Sequence, residues 1–341
     1  MKKTLTLLAA TTALAGPALA EDFNVVGSWS SLPLHGAYEV PFWTETLPAA
    51  GDFNVELTTH DQMGLGVAEI YPLLGQGVYD VAMTVADYAV GDAPELEGLD
   101  VPLVAVTAEE ARAMVDAARP MVEEIFRDRF NAEVLAIAPY PPQVVFCNAE
   151  INSLDDLEGL QVRASGRMTA LFLEALGAEG VNVAFSEVPG ALQNGVVDCA
   201  VTGAGSGYSA GWWEVSTHLL PIPLGGWDSV VTAMNADRWD GLSEEVQATI
   251  EAEIASGFED PAWASAQDAL TNDIACLTGN GECPAGEARD MTLVEVSDAD
   301  FERAREVLVT EVLPDWAERA GGDWAARWNE SVGAVVGVTI E

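Results

Sequence analysis

Residues 157–185 read LEGLQVRASGRMTALFLEALGAEGVNVAF. Leu160–Ser165 is a short, largely apolar run that reads as a strand, and Ser165-Gly166 turns it into the helical segment RMTALFLEALGA. Val181–Phe185, VNVAF, is a second strand. Strand, helix and strand in this order form the unit of a parallel sheet with helices on its faces. Downstream, EVPGALQNG reads as a short helix stopping at Gly195, and VVDCAVTG as a third strand. The same series occurs upstream. FNVVGSW, FNVELTTH and YDVAMTVADY are strands; LHGAYEVPFWTETLPAA and GVAEIYPLLGQG are helices, with Pro41 starting or kinking the first. Two such series predict an α/β fold of two lobes.

The connections complete this outline. TAEEARAMVDAARPMVEEIFRDRF is a pair of short helices or one kinked at Pro120. In AEVLAIAPYPPQVVFCN the proline cluster splits two strand-like runs and stiffens a crossing between the lobes. Ser243–Cys276 is a helical run, bent near Pro261, that exceeds the usual globular length and so is expected to span both lobes. The expected division is a leader over 1–20, a first lobe over 21–140 and 230–266, and a second lobe over 141–229 and 267–341.

The chain has 341 residues, with 14 Lys+Arg against 55 Asp+Glu. It opens with Lys2-Lys3, an apolar core from Leu5 to Leu14 and Ala18-Leu19-Ala20, the pattern of a secretory signal peptide cleaved after Ala20. That apolar core is too short for a membrane anchor. Without Lys2 and Lys3, 12 arginines face 55 acids, a net charge of −43. Nucleic acid needs a basic footprint and is excluded as a partner. The chain is 49% hydrophobic with ten tryptophans, so it folds despite its charge. A surface of this kind repels itself and suits a saline medium.

Cys147, Cys199, Cys276 and Cys283 are an even set in an exported chain. CLTGNGEC is a flexible span that can close Cys276 onto Cys283, leaving Cys147 to pair with Cys199. No C-x2-C spacing exists and His35, His60 and His218 are scattered, so zinc is not expected, and no motif calls for a cofactor. Gly207-Tyr208-Ser209-Ala210-Gly211 matches a nucleophile elbow in letters alone. The only later histidine is His218, too near for a separately folded triad. An exported α/β enzyme is therefore the weaker reading, and a ligand-binding sensor module is the other competitor.

Arg163 stands near the end of its strand, where ligands bind in open α/β sheets. It is either a structural ion pair with one of the many acids or a fork that grips a carboxylate through two parallel hydrogen bonds. The run LDDLEGLQVRASGRMTALFLEALGA…NVAFSEVPGALQNGVVD resembles the solute-binding receptors of tripartite ATP-independent periplasmic (TRAP) transporters, the DctP-like family. The matching positions are Leu157-Glu158-Gly159-Leu160, Arg163, Gly177, Phe185-Ser186-Glu187-Val188, Ala191-Leu192-Gln193 and Gly195-Val196-Val197-Asp198.

This resemblance implies a periplasmic, non-enzymatic receptor, here taken as a monomer, that hands a small organic anion to a permease of small and large membrane subunits. It implies Arg163 as the carboxylate clamp and Phe185 as an apolar ring on the ligand. Thr202 stands where the family has an Asn contact, and Gln143 where sugar-acid receptors have a second arginine. Trp29 falls at the end of the first strand, where a polar contact is usual. These departures favour a smaller or more apolar anion than a sugar acid. Trp29 and Phe185 are expected to face each other across the cleft and sandwich the ligand. Tyr140, Tyr208 and Trp227 complete the candidate ligand contacts; Trp212 and Trp213 flank the same region, and large aromatics of this kind are more often core.

Overall fold

The structure, a computed structural model, describes residues 20–340. The leader expected over residues 1–20 thus lies, except for Ala20, outside the described residues. The strands in chain order are β1 Glu21–Gly27, β2 Phe53–Thr59, β3 Val81–Val85, β4 Ala132–Ala138, β5 Gln143–Cys147 and β6 Gln161–Ala164. They continue with β7 Glu179–Asn182, β8 Cys199–Gly203, β9 His218–Leu220, β10 Val230–Asn235 and β11 Thr292–Leu293. One sheet has the order β2-β1-β3-β10-β4 and the other β11-β9-β5-β8-β6-β7.

Neither sheet is wholly parallel. β1 is parallel to β2 and β3, and β6 to β7 and β8, as the two sequence series require. β10 runs antiparallel to β3 and β4, and β5 antiparallel to β8 and β9. The crossings explain this. The chain leaves the first sheet at the end of β4 and reaches the second directly as β5. It leaves the second at the end of β9 and returns as β10. Without a covering helix to carry it back, each arriving strand enters from the end where the parallel strands stop and must run against them.

Prolines mark the helices without breaking them. Residues 33–50 are helical throughout, with wide turns at His35–Glu39 and Phe42–Thr46 on either side of Pro41. Pro41 lacks the N–H and crowds the preceding turn, and a widened turn absorbs both faults. Pro120 lies inside the single helix Ala108–Phe130. Residues 244–278 form one helical run in which a wide turn, Ala255–Glu259, precedes Pro261. This run packs on β4 in the first lobe and on the helix Ala204–Ser209 in the second, so it ties the lobes together.

The helices beyond Asp298 also touch both lobes. Trp316 and Trp328 close over Gly98 and donate to the carbonyls of Pro94 at 3.0 Å and Gly98 at 2.8 Å. A side chain at Gly98 would meet Trp316 Cη2 at 2.7 Å, so this turn requires glycine. Both expected disulfides are present. Cys147 and Cys199 face each other across β5 and β8, and Cys276 closes onto Cys283. No described helix is long and apolar enough to cross a membrane.

Candidate ligand-binding site

Because each crossing enters antiparallel, the ends of β1, β2, β3, β6, β7 and β8 and the starts of β5 and β10 all face the space between the lobes. The residues at or just beyond those ends are the ones the two lobes present to each other. From the first lobe they are Ser28-Trp29, His60 and Asp87-Tyr88; from the second they are Arg163, Phe185 and Thr202. Gln143 opens β5, and Asp228 precedes β10.

Arg163 is 2% exposed. Its Nε donates to Val183 O at 3.0 Å and its Nη1 to Val201 O at 2.7 Å, the carbonyls lying beyond β7 and within β8 on either side. The guanidinium is fixed by backbone, not by charge. Among the described residues Arg163 forms no ion pair. Ten of the other arginines do: 112, 119, 127, 129, 167, 238, 289, 303, 319 and 327. The remaining one, Arg305, is exposed. The ion-pair reading of Arg163 is therefore set aside. The two carbonyls take two of its five N–H groups, Tyr88 lies beside it, and the remaining N–H groups have the fork geometry a carboxylate fits.

Aromatic rings wall the space around it. The Arg163 Cζ lies 5.8 Å from the Trp212 ring centre. Phe185 packs on Trp212 at 5.2 Å and reaches across to Trp29 at 6.5 Å. Trp29 in turn meets His60 at 4.7 Å, Tyr88 at 5.7 Å and Tyr140 at 6.3 Å. Trp29 and Phe185 thus come from different lobes and face one another. Their planes are inclined by 65°, so they form a corner and not the parallel plates of a sandwich.

The polar groups here are incompletely paired. Gln143 is fully buried; its Nε2 donates to Asp228 Oδ1 at 2.9 Å while its Oε1 has no partner. Trp212 Nε1, Asp87 Oδ1 and both ring nitrogens of His60 are also unpartnered. Burial lowers the His60 pKa, so this imidazole is neutral. Burial pushes the Asp228 carboxyl up to about 7; Asp87 adds to the rise and Arg163 opposes it. Asp87 and Asp100 are held well above the usual carboxylate range, first by burial and then by neighbouring acids. Tyr88 is raised to about 12 by burial, with Arg163 pulling it back. Tyr140 shares a 3.3 Å hydrogen bond with Ser28 Oγ, beside the buried His35–Glu39 pair at 2.6 Å.

Two expected contacts are elsewhere. Trp227 is buried in the core, tilted against Trp263 of the long helix at 6.1 Å, and donates to Ala105 O at 2.9 Å. It sits on the far side of the return crossing, which turns its ring away from the cleft and leaves Asp228 next to it. Tyr208 donates to Glu287 O at 2.8 Å and lies under Arg289, so it anchors the disulfide loop. Thr202 is buried at the end of β8. Ser209 is exposed at the end of a short helix, while His218 contacts Thr217, which leaves the G-x-S-x-G letters without a triad. Tyr140 also borders an interlobe cavity of about 310 Å³ walled by Tyr38, Ser206 and Asp273. That cavity includes neither Arg163, Trp29 nor Phe185.

Sequence reasoning missed His60, Asp87, Tyr88 and Asp228, and named Trp212 only as flanking the region. The first three lie within three residues of the ends of β2 and β3, a position that was legible.

The sequence profile of DctP, bacterial extracellular solute-binding protein, family 7, matches residues 43–277. The C4-dicarboxylate-binding periplasmic protein DctP of Rhodobacter capsulatus is 27% identical over 200 residues, 58% of this chain and 55% of that protein. The ectoine-binding periplasmic protein TeaA of Halomonas elongata is 27% identical over 159 residues, 46% of this chain and 45% of its own length. The chain thus spans about half the length of the curated relatives it matches. The crystal structure of DctP7, a Bordetella pertussis extracytoplasmic solute receptor binding pyroglutamic acid, shares the two-lobed fold. It superposes with a TM-score of 0.80 at 20% identity, covering 92% of this chain and 99% of that one. These proteins are receptors, not enzymes, and the chain belongs to their family, the DctP-type bacterial extracellular solute-binding proteins.

Proposed function

We propose that the chain is the periplasmic receptor of a TRAP transporter, exported by cleavage after Ala20. It captures a small organic anion between its lobes as a monomer and delivers it to the small and large membrane subunits of a permease. Arg163 takes the carboxylate on its remaining N–H groups. Trp29, Phe185 and Trp212 cover the apolar body, and Gln143, Thr202 and Tyr140 supply polar contacts.

One observation carries this reading: Arg163 is the buried arginine with no ion pair in a chain that pairs nearly all the others. An unpaired buried cation costs several kcal/mol. A bound carboxylate removes that cost at the moment it is needed. The names of the relatives, which bind a C4-dicarboxylate, ectoine or pyroglutamic acid, support a small-solute class.

The test is a thermal-shift screen of small organic acids on the mature protein. An acid at 100 times its Kd adds about 2.7 kcal/mol of stability, a shift of several degrees. The same acid should leave Arg163→Ala unshifted. If no acid shifts the wild type, or if the shift survives in Arg163→Ala, the reading fails.

A further inference from the structure

We propose that the ligand carries, besides the carboxylate held by Arg163, a nitrogen that donates hydrogen bonds, and that Asp228 with Gln143 receives it. This rests on the receptor reading of the same site. It narrows the ligand from organic anions in general to carboxylic acids with an N–H group, either cationic or neutral.

The hydrogen-bond inventory points this way. A plain carboxylate offers acceptors only, and the donors facing it are the Arg163 edge and Trp212 Nε1. The hydroxyls of Tyr88, Tyr140 and Thr202 and one nitrogen of neutral His60 can also donate to it, whereas the Asp228 carboxylate and Gln143 Oε1 can only accept. Asp228 Oδ1 accepts from Gln143, and among the described residues no protein donor reaches its second oxygen. Gln143 Oε1 and both nitrogens of neutral His60 are buried without a partner. A plain carboxylate would leave the buried Gln143 Oε1 without a donor, at about 1–3 kcal/mol, and would set its own charge beside Asp228.

Asp228 is placed for this. It is a non-glycine residue at φ 43°, a left-handed conformation that persists only where its surroundings impose it. Asp100 Oδ1 imposes it by accepting the Asp228 backbone N–H at 2.7 Å. Asp100 is thereby occupied with backbone, while Asp228 is only partly buried. Arg163 and Asp228 feel each other electrostatically without forming a pair. The site thus pairs a fixed positive end with a carboxyl raised to about 7, which a cationic ligand nitrogen would draw into its charged form, the complement of a zwitterion.

The charge of the whole chain agrees. At a net −43 the mature protein repels a simple anion at long range, whereas a ligand neutral overall feels no such barrier.

Four five-membered-ring acids of nearly equal size test this by titration calorimetry: proline, pyroglutamate, tetrahydrofuran-2-carboxylate and cyclopentanecarboxylate. Proline or pyroglutamate should bind at least tenfold tighter than the two that lack N–H. Asp228→Asn should remove the advantage of proline, whose nitrogen is charged, and should leave cyclopentanecarboxylate unchanged or improved. Retention of pyroglutamate binding by Asp228→Asn would assign the preference to a neutral N–H. Should Asp228→Asn fail to fold, the ring series on the wild type decides alone. Equal affinity across the series, a preference for the ring oxygen, or a tight ligand from the wider acid screen with no N–H would overturn the inference and leave the receptor reading intact. Failure of every acid in both sets would overturn the two together.

Discussion

Gly166 stands where the lobes meet, at the start of the helix Arg167–Ala175, and Asp87 of the first lobe lies directly against it. Its φ of −146° is extended backbone that alanine adopts freely, so the constraint is space alone. A Cβ at Gly166 would come within 2.5 Å of the Asp87 Cγ and closer still to Oδ2. Ordinary contact between carbons is about 3.5–4.0 Å, so the lobes must part by more than about 1 Å or the Asp87 side chain must leave its buried position. Overpacking of this kind costs about 1–3 kcal/mol, which is roughly 5- to 150-fold. Gly166→Ala touches neither Arg163 nor the aromatic wall. The cost should therefore appear as weaker ligand binding, through faster dissociation, with little change in the melting temperature of the ligand-free protein. Removing the obstructing carboxyl should restore it, so Gly166→Ala combined with Asp87→Ala should bind nearly as Asp87→Ala does alone. The assay is titration calorimetry on the four members of that cycle, using the strongest acid from the thermal-shift screen. Binding by Gly166→Ala within twofold of wild type, or additive losses in the double variant, would refute closure of the lobes through this contact.

Several carboxyls are raised by burial, among them Asp228 to about 7 and Asp273 to about 6. A carboxyl raised on folding holds its proton more tightly in the native chain, so stability falls as pH climbs from about 4 through those values. The melting temperature should be higher at pH 5 than at pH 8, and Asp228→Asn should flatten that slope. With a net charge of −43 the fold repels itself, so thermal melts should move upward as NaCl rises from 0.01 M to above about 0.5 M. Loops of 52 and 7 residues are closed by the two disulfides, and chain entropy assigns them about 4 and about 2.5 kcal/mol. Chemical denaturation of Cys147→Ala/Cys199→Ala should therefore show a larger loss than the same change at Cys276 and Cys283.

Much of the fold was legible because hydrophobic spacing changes period cleanly between Gln161–Ala164 and Arg167–Ala175, and again around Phe53–Thr59 and Val81–Val85. Arg163 stood out because arginine is scarce and the run around it is apolar. Strand direction was not legible for β5 and β10. It depends on which end of the other sheet the chain enters from, and no local pattern encodes that. Asp228 was hidden by the same cause, one acid among 55 whose role follows from the return crossing. Trp212 and Trp227 illustrate the limit. Both are large rings in one Gly-rich region, yet one lies beneath Arg163 and the other under the long helix. Sequence reasoning assigned the cleft to the second. His60 and Tyr88 could have been found, since the rule that selected Trp29 and Phe185, a position just past a strand end, covers them equally.

The central claim is that Arg163 holds the ligand as a planar fork fixed by the carbonyls of Val183 and Val201. Titration calorimetry of Arg163→Lys against wild type tests it most directly. Lysine keeps the charge but presents a single point, and it cannot satisfy both carbonyls and two carboxylate oxygens at once. Hydrogen bonds to charged groups contribute about 1.5–3 kcal/mol each, so removing any one of them should weaken binding roughly 10- to 150-fold. A drop of 100-fold or more in Arg163→Lys, approaching that of Arg163→Ala, is the expected result. Binding by Arg163→Lys within a few-fold of wild type would show that charge alone suffices and would contradict the fork.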